Sequence, residues 1–338
     1  MILESTWFFL WGLLWAVYFM TDGFDLGIGT LMPFLAKTDA DKRAMVNSIG
    51  PLWDGNEVWL LTAGGVTFAA FPQVYAVMFS SLYSALMLIL FALILRGVAF
   101  EFRSKVDNDG WRRVWDICIF AGSAVPALLF GVAFANIFRG IPIDQNGIYQ
   151  GSLFTLLNPY GLLGGVLFLI VFLLHGSLWL TTKAQGELQQ RAVSVANKLW
   201  PVLLAVAVIF LAASIFATSL YANYLDHPIL FAVILLTVCA LLGIKVFLAK
   251  QAYFKAWCAS ALTIVGTTFY GIIGLYPKML PSNIDVAYSL TAHSSASSPQ
   301  TLKIMLMVVV LFLPIVLAYQ IWAYFLFKGE VTEKDMVY

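Results

Sequence analysis

The chain is a succession of apolar runs, each about as long as a bilayer is thick. A helix rises about 1.5 Å per residue, so crossing the hydrocarbon takes roughly 20 apolar residues. Runs of that kind lie near 7–29, 51–71, 76–100, 114–137, 159–182, 199–222, 228–249, 256–276 and 302–327. Apolar types make up 61% of the 338 residues and charged types 11%, against about 25% charged in a soluble domain. No water-soluble fold of this size hides that much apolar surface, so the solvent for most of the chain is lipid. The fold class is therefore an all-α polytopic membrane protein of about nine transmembrane helices. The segment before the first run has neither a basic stretch nor a small-residue cleavage pattern, so that run reads as a retained helix and not a signal peptide.

Lysine and arginine set the orientation. Fourteen lie on one side: Lys37, Lys42 and Arg43 after the first span, Arg103, Lys105, Arg112 and Arg113 after the third, Lys183, Arg191 and Lys198 after the fifth, Lys250 and Lys255 after the seventh, Lys328 and Lys334 in the tail. The other side has three, Arg139, Lys278 and Lys303. This bias places the N-terminus outside and the C-terminus in the cytoplasm, which requires an odd number of spans. Spans 1–4 and 5–8 match in length and direction, suggesting one membrane domain of two four-helix bundles, 1–137 and 159–276, with 302–327 as a peripheral ninth helix. Two longer connections stand out, 138–158 and 277–301, and the second, with Ser294-Ser295-Ala296-Ser297-Ser298-Pro299, reads as a surface loop.

Ionisable residues within a membrane are costly, about 2.5–3.5 kcal/mol at mid-helix on insertion scales, and persist where they face protein or a water path. Here they gather in the first unit. Span 1 carries Asp22 and Asp25, three apart and so on one helical face; span 2 opens with Asp54 and Glu57 at the same spacing. Arg96 and Glu101 end span 3, and Asp116 opens span 4. Spans 1 and 3 run inward and spans 2 and 4 outward, so the whole set falls in the cytoplasmic half. A group of acids leading inward from that side has the form of a proton intake path. Bland alternatives stand beside it: Asp54 as an N-cap with Glu57 as its capping-box partner, and Glu101 and Asp116 as interfacial charges paired with basic neighbours.

Redox ligands are scarce. His227 and His293 fall in loops, and His175 is the one histidine inside a span, where a hydrogen-bonded core role is the commoner one. Cys118, Cys239 and Cys258 are far apart, with no metal-ligand spacing, and read as small core residues. No metal site is expected. Trp53 and Trp59 flank the acids of span 2, either packing or shaping the path. A net charge of +1 makes nucleic acid an unsuitable partner.

The run Thr21-Asp22-Gly23-Phe24-Asp25-Leu26-Gly27-Ile28-Gly29 resembles the first-helix motif of subunit II of the cytochrome bd-type quinol oxidases. So do Asn47-Ser48-Ile49-Gly50-Pro51-Leu52-Trp53-Asp54-Gly55-Asn56-Glu57-Val58-Trp59-Leu60, the stretch from Phe100 to Lys105, Trp111 to Asp116, and Leu156 to Leu163. The resemblance covers nearly the whole chain. It implies a subunit of a bacterial inner-membrane respiratory complex that reduces O₂ with electrons from a quinol. It implies that two haems b and one haem d belong to an obligate partner, subunit I, and that a small accessory subunit and a structural quinone can be present. It assigns Trp53, Asp54 and Glu101 to a proton route, with Glu101 standing where some members carry Asp, and Arg96 and Trp59 to the face turned towards the haem-bearing partner.

The expectation is a haem-free subunit in which Asp54 and Glu101 relay protons, Asp25 and Trp53 shape the route and Arg96 tunes nearby charge. Cofactor-binding residues in the chain itself are unknown. Two other classes fit the same acids: a stand-alone proton-coupled transporter, and a purely structural assembly subunit.

Overall fold

The computed structural model describes residues 1–331; Lys334, counted above in the tail, lies outside them. The helices in chain order are α1 (Ile2–Leu35), α2 (Asp39–Ile49), α3 (Trp53–Ala70), α4 (Pro72–Ser81), α5 (Tyr83–Phe102), α6 (Asp109–Arg139), α7 (Leu153–Leu156), α8 (Pro159–Lys183), α9 (Gly186–Ala217), α10 (Tyr221–Asp226), α11 (Phe231–Ala249), α12 (Tyr253–Leu275) and α13 (Pro299–Leu326). Two short strands, β1 (Lys278–Leu280) and β2 (Leu290–Thr291), pair antiparallel.

Among the described residues eight helices are long and apolar enough to cross a membrane, and α3 is not one of them. Asp54, Asn56 and Glu57 crowd its first turns and it has only 18 residues. It nevertheless follows α1 for much of its length. Asn56 at its start bonds Asp25 of α1, and Thr67 near its end bonds Trp11 of α1. Those two points on α1 are about 21 Å apart. α3 thus runs antiparallel beside α1 with Asn56 and Thr67 turned to it, while Asp54 stays exposed at its start.

Other boundaries differ from the expected ones. The third span starts at Tyr83 and not at 76, because α4 is a separate helix opened by Pro72 and ended at Leu82. The segment after the first span is helical as α2, begun by a capping box between Thr38 and Asp41. The fifth and sixth spans are joined by Ala184 and Gln185 alone, since α9 begins at Gly186 well before its apolar stretch.

α1, α6, α8 and α12 pack against one another at the centre; α3 and α5 lie on one flank, α9 and α11 on the other, and α13 touches α1 and α3. Lipid removes the hydrophobic drive between helices, so close approach of small residues matters more. At Gly27 a Cβ would sit 1.9 Å from the Phe172 carbonyl oxygen of α8, and at Gly131 it would sit 2.2 Å from the Gly164 carbonyl oxygen. Those glycines let α1 and α6 seat against the α8 backbone. Phe19, Phe130, Phe134, Phe168 and Phe172 fill the space beside these crossings edge to face.

Candidate functional site

The motif on α1 puts Asp22 and Asp25 in the centre of the bundle, both fully buried. Arg96 of α5 reaches them from the opposite side. It can do so because Gly122 of α6 leaves room: a Cβ there would lie 2.8 Å from the Arg96 Cβ. The Arg96 Nη2 is 2.8 Å from Asp22 Oδ1 and 3.5 Å from Glu57 Oε2. Arg96 and Asp22 have no exposed side-chain surface, while Glu57 keeps 20% of its own. Glu57 is therefore the acid that joins the buried pair to the outside.

A second branch leaves Asp25. Asn56 Nδ2 donates to Asp25 Oδ2 at 2.8 Å, and the Asn56 oxygen accepts from Tyr324 OH at 2.8 Å. Trp59 Nε1 donates to Gln320 Oε1 at 2.9 Å. Asp22 Oδ2, Asp25 Oδ1 and the Arg96 Nε and Nη1 atoms make no hydrogen bond to protein. Buried polar atoms gathered this densely are sites where water can bond and pass protons.

The residues expected on the path divide by depth. Asp25 is inside. Asp54 and Glu101 are exposed on the chain's surface at the mouth of the group. Asp54 accepts from its neighbour Gly55 N at 2.7 Å. It is not the N-cap: α3 is capped at Leu52 without a side-chain bond. Glu101 makes no ion pair among the described residues. Trp53 is half-buried between the two, its ring 5.5 Å from Phe100 and lying over Gly97, where a Cβ would come within 3.2 Å of it. Arg96 and Trp59, expected on a partner-facing surface, are 0% and 5% exposed and turn into the chain's own interior. An isolated guanidinium facing an apolar neighbour lacks compensation, and Asp22 supplies it from within.

Asp116 belongs to a separate lattice at the basic end. It accepts from Arg103 Nε at 2.6 Å and Lys42 Nζ at 2.7 Å, and Arg103 also holds Asp39 at 2.6 Å. For Asp39, outside the membrane, burial pushes the carboxyl up, but the hydrogen bond and charge of Arg103 outweigh it and hold the group below the usual carboxylate range. Arg191 ties Asp41 to the start of α9. This lattice staples α2 across the ends of α1, α5, α6 and α9.

Asn56, Gln320 and Tyr324 were not singled out from the sequence. Asn56 lies between the two acids of span 2, which was a usable signal; Gln320 and Tyr324, on an apolar helix more than 260 residues away, gave none. His175 does not fit as a haem ligand. Its Nδ1 is 2.5 Å from Ser260 Oγ, its Nε2 2.9 Å from the Met20 carbonyl, and its ring stacks on Trp257. Among the described residues no three His, Cys, Asp or Glu side chains are grouped to hold a metal ion.

The family model for cytochrome bd terminal oxidase subunit II matches residues 3–327. The chain belongs to that family. It is 38% identical to the cytochrome bd ubiquinol oxidase subunit 2 of Bacillus subtilis, with 98% of each chain covered. It is 36% identical to the cytochrome bd-I ubiquinol oxidase subunit 2 of Escherichia coli K12, over 99% of this chain and 97% of that one. A probable cytochrome oxidase subunit 2 of Haemophilus influenzae is 39% identical over 94% of this chain and 93% of its own. In fold, the chain is similar to a chain in the structure of bd oxidase from Geobacillus thermodenitrificans, with a TM-score of 0.77 and 16% identity over 97% of this chain and 99% of that one.

Proposed function

We propose that the chain is the haem-free subunit II of a quinol:O₂ oxidoreductase in a bacterial inner membrane, and that it passes protons from the cytoplasm to the site of O₂ reduction in subunit I. The observation that carries this is the arrangement by depth: exposed Asp54 and Glu101 at the mouth, Trp53 between them, and buried Asp25 and Asp22 behind. Reducing one O₂ to two waters consumes four electrons from quinol and four protons. The haems of the partner supply the electron-transfer and O₂ chemistry. The part of this chain is to hold protons at carboxylates. Asp54 and Glu101 take them at the surface, Glu57 lies inward of Asp54 on the same helix face, Arg96 pairs with Asp22, and the buried Asp25 Oδ1, which no protein group bonds, is the atom that would exchange a proton with an internal water.

The exposed sides of α3 and α5 carry Leu61, Phe91 and Ile94 and, at one end, Asp54 and Glu101. A face with two bare carboxylates suits a protein neighbour better than lipid, so subunit I is placed there. The proposed division into units 1–137 and 159–276 rests on matching span lengths, and the two units pack closely on each other through α6 with α8 and α1 with α8 and α12. An apolar cavity of about 80 Å³ among α8, α9, α11 and α12, lined by Phe168, Phe210, Leu241 and Thr268, is smaller than one that holds benzene, so it would take no more than a short piece of a structural quinone's prenyl tail.

The test is Asp54→Asn and Glu101→Gln in the assembled oxidase. Turnover per haem falls about 10²-fold, the loss typical of removing a positioned proton-transfer group, while the haem spectrum is unchanged. Unchanged turnover and proton uptake in both variants would overturn the relay. Loss of haem with full turnover in the remaining complex would mark a structural subunit instead.

A further inference from the structure

α13 is long, apolar and almost wholly exposed; Leu302 is its one buried residue. An apolar helix gains little by lying on another in lipid, so specific bonds must seat it. They do so at three heights. Near its start Trp7 Nε1 of α1 donates to the Leu302 carbonyl at 3.1 Å. Just past its end Lys183 of α8 donates to the Phe327 and Gly329 carbonyls. Between them Tyr324 OH and Gln320 Nε2, one turn apart, both donate to Asn56 Oδ1, at 2.8 and 3.4 Å.

An amide oxygen has two acceptor lone pairs, and α13 engages both. With its oxygen held that way, the Asn56 NH₂ can only point at Asp25, where it donates at 2.8 Å. Reversing the amide would set its NH₂ against two donors and its oxygen against a carboxylate. Trp59 fixes Gln320 in turn through its Oε1. A cleft of about 290 Å³ between α3 and α13, lined by Asp54, Asn56, Gln320 and Tyr324, opens onto this same amide.

We infer that α13 is a positioning element for the buried acid, with Tyr324 acting through Asn56 to hold Asp25 in its hydrogen-bonded geometry. This rests on the reading of Asp25 as part of a proton route, and it adds a helix that composition alone marks as peripheral. Tyr324 donates no proton to the reaction; it orients the amide that orients the carboxyl.

The test is Tyr324→Phe in the assembled, haem-loaded oxidase, read by difference infrared spectroscopy. The Asp25 carboxyl signal is assigned by its loss in Asp25→Asn. In Tyr324→Phe that signal moves in frequency and turnover per haem falls about fivefold, the effect of one lost hydrogen bond, while the visible haem spectrum stays that of the parent. If Tyr324→Phe does not assemble, Gln320→Met removes the other donor to Asn56 and is read the same way. An Asp25 signal unmoved in the assembled variant, with parent turnover, overturns the inference. If Asp25→Asn leaves turnover intact while Tyr324→Phe moves the signal, the route through Asp25 is wrong and the positioning by α13 stands.

Discussion

Arg96 and Asp22 form an ion pair with no exposed side-chain surface, bridging α5 and α1 at 2.8 Å. Removing one member leaves the other charged and buried, at a cost of about 3–5 kcal/mol, whereas replacing both with apolar groups of similar volume is often neutral. Asp22→Leu is therefore expected to lower the melting temperature of the complex sharply, with Arg96→Met acting alike. The double variant Asp22→Leu with Arg96→Met is expected to regain most of the loss. Melting followed by haem absorbance checks this; a loss in the double variant as large as the two single losses together would show that the pair does not act as a unit. The sequence pointed to these residues because charges are rare in apolar runs, and topology alone brought them to one end of one helix unit. It did not reveal which acids faced inward. Asp54 and Asp25 look alike in a hydropathy trace, yet one is exposed and the other fully buried, because side-chain direction depends on helix rotation.

At the scale of elements, the glycines of the first-helix motif act on packing. Gly27 seats α1 on α8 at a distance no side chain allows, its Cβ falling 1.9 Å from a backbone oxygen that cannot swing aside. Gly27→Ala should push α1 from α8, disturb the Asp22–Arg96 geometry and sharply reduce recovery of folded complex. Gly243→Ala on α11, whose Cβ would meet only ordinary contacts at 3.7 and 3.9 Å, should be tolerated. Size-exclusion profiles of both variants in detergent separate the cases, and equal yields would remove the packing role. Long apolar helices were legible because their length is set by the bilayer. α2 and α4 were not, since a short helix at the membrane surface is made by caps and prolines at Thr38 and Pro72 and by ion pairs with distant residues. α3 was legible as the run over 51–71, although its polar start lowers the hydropathy of the helix itself.

The whole molecule has two unlike ends. One carries α2 and the lattice of Arg103, Asp39, Asp116, Lys42, Arg191 and Asp41. The other carries the paired strands and the loop whose Ser297 N donates to the Ala70 carbonyl at the end of α3. The mouth of the acid group opens towards the first end, because Asn56 and Asp54 start α3 there. On the orientation proposed from the excess of lysine and arginine that end is cytoplasmic, and a proton route for O₂ reduction gains its meaning from this direction: protons taken from inside and consumed in the membrane contribute to the transmembrane gradient, whereas protons taken from outside would add nothing to it. The orientation is checked by single cysteines on a chain freed of Cys118, Cys239 and Cys258. A cysteine at Lys105, in the connection between α5 and α6, should be shielded from an impermeant maleimide in intact cells and labelled after lysis. A cysteine at Ser294, in the opposite loop, should be labelled in both. The reverse pattern would place Asp54 and Glu101 on the outer side and remove the cytoplasmic proton supply, whatever turnover their variants showed.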